Sequence, residues 1–243
     1  MKTIMMILVI AAVSFNSYSQ EEKMNVLTEQ EINEGWILLF DGCTTDGWRG
    51  YNKDAFPEVG WKVEDHTLHV IGSGRGEAGG GGDILYDRKF RNFELSLEWM
   101  VSEGGNSGIF YLAQEIPGEP VWKNAPEMQI LDDAKHPDAI LGPGGNRAAG
   151  SLYDLMPGKM DAVKPAGEWN HVKILVFKGT VVHFVNDEKV LEYHLWTDEW
   201  KKMVSESKFK DYESFYNTAE EGYIVLQDHG DDVWFRNIKI REL

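Results

Sequence analysis

Apolar and polar residues alternate most regularly over 93–101. Phe93, Leu95, Leu97, Trp99 and Val101 share one face, while Glu94, Ser96 and Glu98 share the other. A period of two marks a half-buried strand. Gly104, Gly105 and Asn106 then turn the chain into 107–113, read as the second strand of the same hairpin. Similar patterns predict hairpins over 61–64 and 67–71 about Asp65, and over 169–177 and 180–186 about Lys178-Gly179. Asn186-Asp187 turns into a strand over 189–195, and 223–229 with 233–240 reads as a closing hairpin about Gly230-Asp231. Residues 36–40 form an apolar run stopped by Asp41-Gly42, and 150–155 a short strand carrying Tyr153. Thr28 and Glu31 have capping-box spacing, which predicts a short helix over 28–33. Residues 197–216 break the alternation and predict one or two short helices capped at Thr197. Short alternating strands with frequent turns predict an all-β fold, an antiparallel sandwich of two sheets.

The stretch Glu127-Met128-Gln129-Ile130-Leu131-Asp132 carries the candidate chemistry. In a strand, Met128 and Ile130 point into the core and Glu127 and Gln129 point away. Asp132 is out of phase, and a β-bulge near Leu131 would bring it back beside them. Two acids flanking one bond is how a glycoside-cleaving site is made on a sheet. A half-exposed strand with solvated acids is the plainer reading of the same residues.

Composition narrows the partners. Residues 1–20, with Lys2 ahead of an apolar run over 4–13, read as a cleaved secretory signal, so the mature chain is expected to be periplasmic or extracellular. Residues 21–243 read as one domain. Cys43 is the single cysteine, so no intramolecular disulfide is expected. The net charge of −16 disfavours nucleic acid and anionic membranes, and suits a small neutral carbohydrate. No later apolar run predicts a membrane span. The glycine-rich stretch 72–83 lacks the Lys-Ser or Lys-Thr of a phosphate cradle and reads as a loop at a sheet edge, from which Arg75 and Glu77 could reach a ligand. Asp132, Asp133 and His136 are spaced closely enough to raise a divalent metal, although a solvated acidic loop explains so short and commonplace a pattern better. His171 and His183 read as structural or surface residues.

Several stretches in order resemble a known family: 35–42, Phe93-Glu94-Leu95 with Glu98-Trp99, 105–110, 127–132, 150–153, 164–170, 226–230 and 235–240. Together they resemble the 3-keto-disaccharide hydrolase domain family, from about Leu27 to the C-terminus. The resemblance implies a concanavalin A-like jelly-roll sandwich acting on glycosides whose sugar carries a 3-ketone. The Glu127 stretch also resembles the signature of laminarinase- and lichenase-type retaining glucanases. Here, however, Gln129 stands for the middle Asp and Asp132 for the last Glu, which argues against a retaining pair set about 5–5.5 Å apart.

A 3-ketone acidifies the hydrogen on C2, so a base can remove it and the enolate can expel the C1 substituent. Glu127 is the preferred base or acid and His229 the alternative base. Tyr153 is a donor to the leaving oxygen or enolate. Gln129, Gln227 and Asp132 are expected to bind sugar hydroxyls, and Arg147 to contact the enolate or orient a carboxylate. A conventional retaining glycosidase and a non-catalytic carbohydrate-binding module remain open alternatives at this level.

Overall fold

The computed structural model describes residues 24–76 and 79–243. The expected signal segment and Glu77 lie outside those residues. The helix α1 (Glu29–Asn33) starts where the capping box places it: Glu31 N–H donates to Thr28 Oγ1 and Thr28 N–H to the Glu31 carboxylate. The strands follow as β1 (Trp36–Leu38), β2 (Trp48–Gly50), β3 (Trp61–Glu64), β4 (Thr67–Val70), β5 (Ile84–Tyr86), β6 (Phe93–Val101), β7 (Asn106–Ala113) and β8 (Glu127–Leu131). After a long irregular stretch come β9 (Asn170–Phe177), β10 (Thr180–Val185), β11 (Glu188–His194), the helices α2 (Asp198–Ser205) and α3 (Glu213–Tyr216), then β12 (Tyr223–Leu226) and β13 (Val233–Glu242).

Two antiparallel sheets stack. The larger runs β11-β10-β9-β6-β13-β4-β3, with β1 also on β13, and the smaller runs β2-β5-β12-β7-β8. This is the jelly-roll sandwich that the sequence implies. Between the sheets lie Leu95, Leu97, Trp99, Val172, Ile174, Phe235 and Ile240 from the larger, and Ile109, Tyr111, Met128, Ile130, Ile224 and Leu226 from the smaller. The tight turns are where the sequence puts them. Asp65 and His66 both take positive φ, as do Lys178 with Gly179 and Asn186 with Asp187, the backbone that two-residue hairpins of right-handed twist require. Among the described residues no helix is long and apolar enough to cross a membrane.

Two expected hairpins do not form. β6 lies in the larger sheet, on β9 and β13, whereas β7 lies in the smaller, between β12 and β8. β12 and β13 are split between the sheets in the same way. Each pair is joined by a turn that crosses from one sheet to the other. Alternation cannot tell a hairpin from a crossing, because both leave one face of each strand buried. The two crossings sit side by side: Asn106 N–H donates to Asp231 Oδ2 at 3.1 Å and Ser102 N–H to the Asp232 carbonyl at 3.0 Å.

Candidate active site

The outward face of the smaller sheet changes character along its strands. Phe110 sits opposite Glu127 and Gly108 opposite Gln129, so these four share that face. At one end Phe110, Leu85 and Val225 are covered by Tyr51, Val121 and Ala125, a small apolar cluster under the loop after β7. At the other end the face is polar. Gln227 continues β12 by donating its N–H to the Gly108 carbonyl at 3.0 Å. Asn106, Glu127, Gln129 and Gln227 floor a cleft of about 80 Å³, walled by Trp122, Tyr153, Lys208 and His229. A larger groove of about 460 Å³ lies elsewhere, beside Arg91, Lys178 and Trp196. The smaller cleft is the candidate site, because its carboxylate and amides are buried: Glu127 is 6 % exposed, Gln129 1 % and Gln227 5 %.

Glu127 fits because Gly108 has no side chain. A Cβ at Gly108 would overlap Glu127 Oε1. The Gln129 amide matches its surroundings when its nitrogen donates to Glu127 Oε1 at 3.1 Å and to the Ser107 carbonyl at 2.9 Å. Gln227 Oε1, by contrast, has no hydrogen-bond partner among the described residues. A buried acceptor left unmatched costs free energy until a donor reaches it.

Residues 150–153 dock along the open edge of β8 as an irregular extended segment rather than the expected regular strand. Gly150 N–H donates to the Gln129 carbonyl at 2.8 Å, Gln129 N–H to the Ser151 carbonyl at 3.1 Å, and Tyr153 N–H to the Glu127 carbonyl at 3.0 Å. This pairing brings Tyr153 beside Glu127. The Tyr153 hydroxyl donates to Asp138 Oδ2 at 2.7 Å. Burial, and then Asp138, push the Tyr153 hydroxyl well above its ordinary value, so it remains a donor. Burial alone would raise the Asp138 carboxyl, but the bonds from Tyr153 and Arg147 outweigh it and hold the acid below its usual range. Arg147 bonds Asp138 and Asp154 and lies 5.6 Å from the Tyr153 ring centroid. It therefore orients carboxylates and is not among the cleft's lining residues.

His229 stands on the crossing between β12 and β13, 6.4 Å edge-to-face from His136. Asp228, fully buried, holds that turn from behind. Its carboxylate accepts the N–H groups of Gly81 at 2.8 Å, Gly82 at 3.1 Å and Gly230 at 3.0 Å. The glycine-rich loop is thus packed against the His229 turn, and a Cβ at Gly79 would overlap Asp228. Arg75 is exposed on this loop.

Asp132 does not join the cleft. β8 pairs with β7 without a register shift, so the expected bulge is absent. The Asp132 carboxylate instead accepts Gly104 N–H at 2.7 Å and Ala134 N–H at 3.1 Å, closing the first sheet crossing. The expected metal ligands also separate. Asp133 accepts Ala149 N–H at 2.8 Å and His136 Nδ1 accepts Asp138 N–H at 3.1 Å. Among the described residues no three His, Cys, Asp or Glu side chains are grouped to hold a metal ion.

Trp122, Lys208 and Asn106 line the cleft and are not among the candidates that the sequence offers. Trp122 lies in a loop, Lys208 in a stretch read as helix, and Asn106 in a predicted turn. Only the phase that Asn106 shares with Gly108 and Phe110 along β7 points to the last of them.

A family model of the 3-keto-α-glucoside-1,2-lyase-like domain matches residues 35–241. Over 252 residues the chain is 49 % identical to the 3-keto-disaccharide hydrolase of Bacteroides thetaiotaomicron, covering 96 % of this chain and 87 % of that protein. A crystal structure from Parabacteroides distasonis, of a protein assigned to the glycosyl hydrolases, matches with a TM-score of 0.79 at 32 % identity, covering 91 % of this chain and 100 % of the other. A second from the same species, similarly assigned, has a TM-score of 0.66 at 28 % identity, covering 86 % and 99 %. The family match and the 49 % identical relative make this a carbohydrate-active enzyme. Within that class, the chain belongs to the 3-keto-α-glucoside-1,2-lyase-like family.

Proposed function

We propose that the protein cleaves the glycosidic bond of 3-keto-glycosides by removing the C2 proton and expelling the C1 substituent. One observation carries this reading over conventional retaining hydrolysis. Glu127 is the single carboxylate among the described residues lining the cleft, and its would-be partner Asp132 is spent on backbone N–H groups. A retaining glycosidase needs a carboxylate pair, whereas abstraction of a proton next to a ketone needs one base. The relative that is 49 % identical carries the name of a 3-keto-disaccharide hydrolase, which supports the same substrate class.

In this mechanism Glu127 takes the proton from C2, and the pair left behind is delocalised onto the C3 oxygen. When that pair returns, the C1–O bond breaks and a C1=C2 double bond forms beside the ketone. His229, at the wall of the cleft, gives the departing oxygen its proton. Water then adds at C1 while C2 regains a proton, so the net change is hydrolysis. Gln129 and Gln227 hold sugar hydroxyls, and Tyr153, locked by Asp138, shapes the wall.

Matched glycosides with and without the 3-ketone, incubated in deuterated water, test the reading. Release of the aglycone from the keto form alone, with deuterium at C2, is the expected result. Equal cleavage of the unoxidised glycoside, with no deuterium at C2, would sink it.

A further inference from the structure

Trp196 stands between β11 and the Thr197 cap of α2. The apolar residues on either side of it, Leu195 and Trp200, are buried. Trp196 turns outward instead, and its backbone takes a φ of 64° to do so. For a bulky side chain that is a strained conformation, of the kind that collects at ligand sites. The indole is 38 % exposed, yet it is held in place. Its Nε1–H donates to the Thr218 carbonyl at 2.7 Å. Its six-membered ring rests on Gly179, where a Cβ would overlap it.

This indole lines the groove of about 460 Å³, together with Arg91, Asn92, Lys178, Gly179 and Glu220. Ligand pockets usually measure roughly 300–1,000 Å³. Backbone pairing builds another wall. Phe90 N–H donates to the Gly222 carbonyl at 2.9 Å, and Gly222 N–H to the Phe90 carbonyl at 3.0 Å. The guanidinium of Arg91 then pairs with the Glu220 carboxylate. Asn92 Oδ1 accepts Lys178 N–H at 2.8 Å, which fixes the turn between β9 and β10 against the entrance to β6. The Lys178 ammonium lies over the Phe177 ring, 5.0 Å from its centroid. The groove thus presents an aromatic face bordered by planar groups that give and accept hydrogen bonds, with little net charge.

We infer that this groove is a second carbohydrate site, which binds a pyranose residue of a neutral glycan chain on the face of Trp196. A pyranose has an apolar face of C–H groups and a rim of hydroxyls that both donate and accept. The face packs on the indole, and the rim meets the Arg91–Glu220 pair and Asn92. A neutral chain also escapes the repulsion that a net charge of −16 exerts on acidic glycans. The groove is separate from the cleft. Arg91 and Asn92 lead into β6 and Glu220 into β12, whereas Gln227 and His229 follow β12 at its other end. A strand of β6's length spans roughly 25 Å between those ends. A sugar on Trp196 therefore anchors the protein to a glycan and leaves the cleft open. This binding needs no 3-ketone, so it stands or falls independently of the cleavage reading.

Native gels cast with soluble starch, mixed-linkage β-glucan or glucomannan test the site, read against gels without polysaccharide. The wild-type protein is expected to be retarded in at least one of the three. Trp196→Asn removes the ring and suits the positive φ, so it should fold. It is expected to weaken binding about tenfold or more, with Trp196→Phe, which keeps an aromatic face, falling in between. Cleavage of a 3-keto-disaccharide by Trp196→Asn should stay within about twofold of wild type. Glu127→Gln, which alters the cleft alone, should be retarded as wild type is. Absence of retardation in all three gels overturns the inference, as does full retardation of a folded Trp196→Asn. Loss of retardation in Glu127→Gln also overturns it, by placing the binding in the cleft. A wild-type protein that is retarded through Trp196 but cleaves no 3-keto-disaccharide would uphold the groove and sink the cleavage reading.

Discussion

The Glu127 carboxylate occupies the space that a side chain at Gly108 would fill. The two residues lie on neighbouring strands and the same outward face, Gly108 paired with Gln129 one step along from the Phe110–Glu127 pair. The glycine is there for room, since its φ is not among the positive ones. Gly108→Ala should therefore fold while displacing the carboxylate. We expect kcat/KM to fall by about 100-fold with little change in the thermal midpoint. A variant with wild-type kinetics would show that the carboxylate's seat does not matter.

Glu127→Gln keeps the shape of the side chain and removes the base. Cleavage and C2 exchange are expected to fall by roughly 100- to 10,000-fold, with affinity for the keto substrate largely retained. Steady-state kinetics with calorimetry separate the two effects. Unchanged turnover would move the base to His229.

Asp132 closes a turn and is not part of the cleft. Asp132→Ala leaves the N–H groups of Gly104 and Ala134 without their acceptor. Urea unfolding should show a loss of about 1–3 kcal/mol, while kcat/KM of the folded protein stays within about twofold of wild type. A large drop in turnover with unchanged stability would return Asp132 to the site.

His183 couples stability to pH. It is fully buried on β10, its Nδ1 facing the Gly150 carbonyl at 3.3 Å and its Nε2 bonded to the Tyr111 hydroxyl at 2.8 Å. Burial lowers its pKa to about 4, against the bond to Gly150, which works to raise it. Below its ordinary value of 6.5 the unfolded chain takes up a proton that the folded chain refuses. The contribution is therefore complete above pH 6.5 and is lost as pH falls toward 4. At pH 5 the loss is roughly 2 kcal/mol. Urea midpoints at pH 7 and pH 5 check this: His183→Gln should lose less stability between them than wild type. An identical pH dependence in both proteins would contradict it.

Much of the fold was legible along the chain because local rules decide it. The capping box at Thr28 and Glu31, the positive-φ turns at 65–66, 178–179 and 186–187, and the alternation of β6 all depend on near neighbours. The outward phase of Glu127 and Gln129 on β8, and of Gln227 beyond β12, was legible for the same reason. Asp132 was misplaced because a bulge is a tertiary decision, and β7 pairs with β8 without one. Trp122 was invisible because a loop has no period that aims a side chain, and Lys208 because the stretch read as helix is irregular between α2 and α3.

By itself, the sequence determined most of the strands, the tight two-residue turns and the first helix, and which faces of β6 and β8 would be polar. Tertiary structure decided which sheet each strand joined. β6 and β7, like β12 and β13, are adjacent in the chain but belong to opposite sheets. A buried face satisfies the same apolar pattern in a hairpin or across a sandwich, so only the packing of the whole chain selects between them. That selection sets the two crossings side by side, joins Asn106 to Asp231, and brings Gln227 and His229 to the cleft that holds Glu127.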